Sequence, residues 1–232
     1  MANGIPYVES SDPILLRRFA RCSLFRVLST SVKHTNTLQV ALLARSPVLG
    51  QVKHRLAEDI GAKNALECYR LLLLNALEAT RPFATTIWYE GSTEVWDEIA
   101  PDHRLKEQPP GDLGHKMFTA LVEGAKLVIG ADVPLMSEDY IDKALNHLTT
   151  QQDVVVGPTE DGGYCLIGMN EPCEKLFENI SWGSDLVLEQ TLTRAADLDL
   201  QVFLLPTLWD VDTSADYQRW KQGIPSDKVF QV

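Results

Sequence analysis

From Leu38 onward, short apolar runs alternate with stretches of helical period, and loops rich in Gly, Pro and charge separate them. This alternation constrains the fold more than any other feature. Leu38–Ala44, Ala84–Tyr89, Leu127–Gly130, Asp153–Gly157, Tyr164–Met169 and Leu200–Leu205 read as strands. Leu38–Ala44 and Leu127–Gly130 contain no charge, as strands covered on both faces require. Ala62–Ala79, Asp112–Glu123, Ser137–Leu148, Ser184–Ala196 and Ser214–Trp220 read as helices, with Ser137 as a cap and Gly124 as a stop. Strands alternating with helices predict an α/β fold with a mostly parallel central sheet and helices on both faces. No repeat or linker divides residues 38–232, so a single domain is expected.

Composition narrows the function. Lys plus Arg number 21 against 32 Asp plus Glu, a net charge of −11, which argues against a general nucleic-acid binder. With 45% hydrophobic and 23% charged residues the chain can bury a core. Its longest near-apolar stretch, Leu38–Ala44, is too short to span a bilayer. Cys22, Cys68, Cys165 and Cys173 form no C-x-x-C pair and read as reduced thiols of a cytoplasmic protein. Residues 1–37 differ from the rest, with net +3 against −14 for the remainder. A targeting peptide or membrane-surface helix is one reading of the basic, acid-free stretch Ile14–Lys33. Leu24 and Leu28 fall off its apolar side, which favours a poorly ordered or loosely attached extension.

In open α/β sheets ligands sit beyond the carboxyl ends of the strands. The loop after the first strand holds Arg45, Gly50, Lys53 and Arg55. Three cations gathered in an acidic chain repel one another unless an anion joins them, and a polyphosphate suits that role. Phosphate binding is therefore preferred over a merely solvated loop. Asp132, in Gly130-Ala-Asp-Val-Pro134, ends an uncharged strand. It suits a hard cation such as Mg²⁺ or Mn²⁺, and equally an Asx turn before Ser137. Gly157-Pro-Thr-Glu-Asp161-Gly162-Gly163-Tyr164 joins two apolar strands. Asp161 there reads as a sugar-hydroxyl acceptor or a base, with Gly162 and Gly163 admitting a donor, or the whole reads as a hairpin turn. Asp210 and Asp212 share one face of an extended segment, and Asp212 is a second candidate metal ligand, unless Asp212 or Thr213 caps the helix from Ser214. Gln108 carries the donor and acceptor that read a base edge, and Asp112 caps the next helix. Trp182 either stacks on a ligand or, more commonly for such a ring, joins the core.

Together these segments resemble the bacterial glycosyltransferase-like family labelled "arsenosugar biosynthesis glycosyltransferase", in the nucleotide-diphospho-sugar transferase superfamily. The matching motifs are Arg45–Leu56, Gly111–Met117, Gly130–Pro134, Gly157–Tyr164, Trp182 and Asp210–Thr213, in order over about residues 38–217. The resemblance implies a GT-A-like fold, a nucleotide-linked donor, an acceptor of unstated kind and a divalent metal. It places Arg45, Lys53 and Arg55 on phosphates, Asp132 and Asp212 on the metal, and Asp161 near the sugar. Departures from the family pattern are His54 in place of Thr and Lys116 in place of Arg, which loses a planar fork. The expected function is a metal-dependent transferase, glycosyl transfer first. A nucleotidyltransferase releasing pyrophosphate comes second, because Asp132 stands alone where many glycosyltransferases carry D-x-D. A catalytically weak nucleotide-binding protein comes third.

Overall fold

A computed structural model describes residues 40–149 and 153–223. The expected extension at residues 1–37 lies outside the described residues. In chain order the elements are β1 (Val40–Arg45), α1 (His54–Ile60), α2 (Ala62–Thr80), β2 (Thr85–Glu90), α3 (Trp96–Ile99), β3 (Arg104–Glu107), α4 (Leu113–Val122), β4 (Leu127–Gly130), α5 (Glu138–Thr149), β5 (Val154–Pro158), β6 (Tyr164–Met169), a 3-10 turn at Glu174–Phe177, α6 (Val187–Asp197), β7 (Val202–Leu204) and α7 (Ser214–Gly223).

The strands form one sheet in the order β3-β2-β1-β4-β6-β5-β7. All neighbouring pairs are parallel except those made by β6, which runs against both β4 and β5. Period-two alternation sorts β1 between two cores. Val40, Leu42 and Ala44 face α2 and α5, packing on Tyr69, Leu73, Ala76, Ile141 and Ala144. Ala41 faces the other layer, where α4, the 3-10 turn and α6 supply Met117, Leu121, Leu176, Phe177 and Ala195. The sheet is thus covered on both faces, and β1 is buried except at Arg45 and, in part, Leu43. A smaller cluster joins α1, α2 and the segment after β7 through Leu56, Cys68, Leu72, Trp209 and Val211.

Local chemistry sets the element ends. Nineteen residues without Gly or Pro allow α2 to run unbroken. Asp112 caps α4, its carboxylate accepting from the His115 N–H at 2.8 Å. Ser137 accepts from the Tyr140 N–H at 3.3 Å as α5 begins. Thr213 caps α7, accepting from Asp216 N–H at 3.3 Å, while the Asp216 carboxylate accepts from the Thr213 N–H at 2.9 Å. Of the two expected cap candidates there, Thr213 takes the position and Asp212 stays free for other contacts.

β1 has β2 on one side and β4 on the other, so the chain reverses its direction of sheet growth between β1 and β4. At such a point the two following loops diverge and leave a crevice. The loop after β1 carries the basic residues and the loop after β4 carries Asp132. Because β6 is antiparallel, the β5–β6 turn returns to this same edge.

Candidate active site

The loop after β1 hangs from α2. The Tyr69 hydroxyl accepts from the Arg45 N–H and donates to the Arg45 carbonyl, both at 2.9 Å. Gly50 follows at φ 76 in an exposed turn closed by the Gln51 N–H donating to Val48 O at 3.0 Å. Lys53 then adopts a left-handed backbone, φ 49 and ψ 53, which costs a non-glycine residue about 1–2 kcal/mol.

That conformation delivers Lys53 into the crevice. Its Nζ lies 2.6 Å from Asp132 Oδ1, and its side chain is 7% exposed against 47% for Asp132. Burial alone would weaken the ammonium, but the carboxylates of Asp132, Asp212 and Asp210 outweigh it and hold the lysine above its ordinary range. Arg55, two residues on, donates through NH1 to Asp212 Oδ2 at 3.0 Å. The Val211 N–H donates to the Asp132 carbonyl at 3.2 Å, joining the loop after β7 to the loop after β4. Lys53, Arg55, Asp132 and Asp212, all expected from sequence, therefore meet in one cleft.

Arg45 belongs to a different wall. It is exposed, and its Nε lies 3.8 Å from Glu90 Oε2, which also accepts from Lys116 Nζ at 3.0 Å. The Lys116 hydrogen bond is the main cause holding Glu90 below the usual carboxylate range. Lys116 is thus occupied by an ion pair from β2 to α4.

Asp210 is partly buried, a placement the spacing of the segment did not show. Desolvation, then repulsion from Asp161, push its carboxyl from an ordinary 3.8 up to about 6. A carboxyl that binds its proton more tightly when folded costs stability once ionised. The cost is absent well below pH 3.8, grows between there and pH 6, and is complete above it. Asp210→Asn is therefore expected to stabilise the fold by about 1 kcal/mol at pH 8, after allowance for solvent screening, and by only a small fraction of that at pH 4. Thermal melts at the two pH values check this.

Other expected site residues have different duties. Gln108 spends its amide donors on main-chain carbonyls, Trp88 O at 2.8 Å and Ala44 O at 3.4 Å. It pins β3's end to β1 and β2 and leaves Oε1 without a partner among the described residues. Trp182 packs edge-on to Tyr164 at 6.4 Å between ring centroids, and against Gly114, where a Cβ would come within 2.6 Å of its ring. It is half-buried and packs against the core on the α4 side.

Asp161 fastens its own turn, with Oδ1 accepting from the Thr159 hydroxyl at 2.5 Å and the Gly163 N–H at 3.0 Å. Its second oxygen takes no hydrogen bond among the described residues, and the residue is exposed. Gly162, at φ 85, packs so closely on Asp185 that a Cβ would overlap the Asp185 carbonyl. Its lack of a side chain serves that internal contact. Glu160 in the same turn accepts both Arg219 terminal nitrogens, at 2.6 and 3.0 Å, and Arg219 lies 4.2 Å from the Trp209 ring. Nothing local in the sequence signals that link from α7.

Among the described residues, no three His, Cys, Asp or Glu side chains gather in a metal-holding group. The exposed oxygens of Asp132 and Asp212 nevertheless fit Mg²⁺ or Mn²⁺, which bind through one or two carboxylates and complete their shell with water and substrate phosphate. A separate cavity of about 300 Å³ lies beside the start of α4, lined by Asp112, His115, Phe118, Glu174, Phe177 and Glu178. Its carboxylates suit hydroxyl groups and repel phosphate.

Residues 73–184 match a bacterial family profile. Its description is an uncharacterized protein conserved in bacteria, DUF2064. The matched stretch holds Asp132 and Asp161 but neither the basic loop nor Asp212. No curated protein sequence matches the chain. Among solved structures, the chain resembles a protein from Desulfovibrio desulfuricans G20 provisionally assigned as a nucleotide-diphospho-sugar transferase. The identity is 28%, the TM-score 0.76, and the match covers 84% of this chain and 90% of that one. A nucleotidyl transferase from Methanothermobacter thermautotrophicus shares the fold at 15% identity and TM-score 0.50, over 80% of this chain and 96% of that one. So does a cytidylyltransferase from Leptospira borgpetersenii, at 12% and 0.51, over 83% and 90%. The fold is that of nucleotide-diphospho-sugar transferase structures. No described helix is long and apolar enough to cross a membrane.

Proposed function

We propose that the protein transfers a group from a nucleotide-activated donor, with a sugar as the group transferred. One observation carries this reading: Lys53 at the end of the loop after β1 and Arg55 in the first turn of α1 face Asp132 and Asp212 from the loops after β4 and β7, at the point where the sheet changes direction. The likeness to the Desulfovibrio protein, at 28% identity over most of both chains, supports it.

In this reading Lys53 and Arg55 bind the donor phosphates and neutralise the charge that develops as the nucleoside diphosphate leaves. Arg45, exposed at the mouth, contacts the outer phosphate or the ribose side. Asp132 and Asp212 would hold Mg²⁺ or Mn²⁺, which supplies further neutralisation of phosphate charge. The free oxygen of Asp161 accepts from a sugar hydroxyl or takes the acceptor proton. Positioning and charge neutralisation supply most of the rate.

The likeness to the Desulfovibrio protein ranks glycosyl transfer first. The lone Asp132 favours the second reading, nucleotidyl transfer with release of pyrophosphate. A thermal-shift screen of UDP-, GDP-, ADP- and TDP-sugars and free NTPs, with and without Mn²⁺, tests both. A nucleotide at a hundredfold its Kd is expected to raise Tm by roughly 5–10 °C. Free nucleoside diphosphate among the products supports glycosyl transfer, and pyrophosphate supports the second reading. Binding with no turnover across the panel reduces the protein to a nucleotide binder. No shift with any nucleotide rejects the proposal.

A further inference from the structure

Lys53 has features that a loop lysine awaiting a phosphate does not need. Its backbone is left-handed at φ 49, a conformation that a residue with a Cβ keeps only when its surroundings impose it. Its side chain is 7% exposed, although lysine ordinarily holds its ammonium in water. Nζ rests 2.6 Å from Asp132 Oδ1, and Asp210 and Asp212 also act on it. The ammonium is therefore seated on one of the carboxylates that suit a divalent cation. A second cation at Asp132 would lie within a few ångströms of it and be repelled.

We infer that Lys53 is the resident cation of this cleft and a gate against free divalent metal. Without nucleotide, Lys53 neutralises Asp132 and closes that carboxylate to Mg²⁺ or Mn²⁺. Donor phosphates form a denser set of anions than the carboxylates, and they draw the ammonium off Asp132. The flexible four-carbon stem allows that shift without movement of α1. Asp132 is then open to the metal that the phosphates bring. The cleft so accepts metal with nucleotide and refuses metal alone. Asp210 and Asp212 keep the ammonium from leaving unprompted, and Arg55 occupies Asp212 Oδ2 in the same state, so both candidate metal ligands are held by cations of the protein. This inference rests on the reading of the cleft as a nucleotide–metal site.

Isothermal titration of MnCl₂ into the full chain without nucleotide tests it. Lys53→Met is expected to bind free Mn²⁺ at least about tenfold more tightly than the wild type, since a like charge a few ångströms away has been removed. Lys53→Met combined with Asp132→Asn is expected to lose that gain, which places it at Asp132. Lys53→Gln, closer to lysine in length and polarity, gives the same comparison should Lys53→Met fold poorly. Equal Mn²⁺ affinity in the wild type and both Lys53 variants overturns the inference. So does a gain that survives Asp132→Asn. These titrations contain no nucleotide, so they are independent of the thermal-shift screen. A flat screen rejects the donor-site reading, whereas equal Mn²⁺ binding beside a positive screen rejects the gate alone.

Discussion

Asp132→Asn is expected to lower turnover by roughly a hundredfold to a thousandfold, the size seen when a group acting mainly on transition-state charge is removed. Asparagine keeps the shape and loses the charge. The variant can still fill the position at the end of β4, and the Asp132 carbonyl still accepts from the Val211 N–H. What it loses is the anion that holds Lys53 at 2.6 Å and the strongest hard-oxygen donor of the cleft. The substitution also acts on stability, because the Lys53 side chain stays buried. Stranding a buried charge costs about 3–5 kcal/mol, and the expected loss lies at the lower end because Asp210 and Asp212 still face the ammonium. Steady-state kinetics with the donor identified by the screen, together with a thermal melt, measure both effects. Wild-type turnover in a folded Asp132→Asn protein removes Asp132 from the mechanism.

Gly162→Ala is expected to be the most destabilising single methyl in the β5–β6 turn. Two penalties combine. The backbone at φ 85 is strained for any residue with a side chain, and the new methyl would overlap the Asp185 carbonyl. Asp185 cannot retreat freely, since the Gly162 carbonyl accepts from the Leu188 N–H at 2.8 Å and ties the turn to the start of α6. The expected loss is about 3–4 kcal/mol, or roughly 10 °C in Tm for a chain of this size. Gly183→Ala is a matched comparison, with φ 83 but no atom within 4 Å of the new methyl. It isolates the backbone penalty and is expected to cost only about 1 kcal/mol. Equal melting temperatures for the two variants would mean that the contact with Asp185 carries no weight.

The apolar strands were readable because burial on both faces leaves an unmistakable pattern. β1 and β4 have no interior charge, and the β5–β6 hairpin was one of the two readings that Asp161-Gly162 left open. β3 left no such mark. Arg104-Leu-Lys-Glu107 is an edge strand paired only with β2, and charge is what an exposed edge carries. α1 was hidden for a related reason: a short helix begins inside a basic segment that reads as loop. The cleft residues were found because they sit directly after strands, which is a local property. The duties of Gln108, Trp182 and Gly162 were not, because each is set by a partner distant in sequence. Those partners are the Ala44 and Trp88 carbonyls, Gly114 and Asp185. Asp210 illustrates the same limit. Its period-two spacing with Asp212 was visible, but its partial burial and its repulsion from Asp161 depend on how the segment after β7 crosses the sheet.

The pair formed by Arg55 and Asp212 spans 157 positions of chain. One consequence concerns synthesis. A polypeptide emerging from the ribosome can complete β1, α2 and β4 long before the stretch bearing Asp210 and Asp212 exists, and until then the Arg55 guanidinium lacks its anchor. On the proposed reading of the cleft, ligand capture is accordingly among the last properties the nascent protein acquires, and retention on an immobilised nucleotide would require the segment bearing Asp210 and Asp212 to be in place.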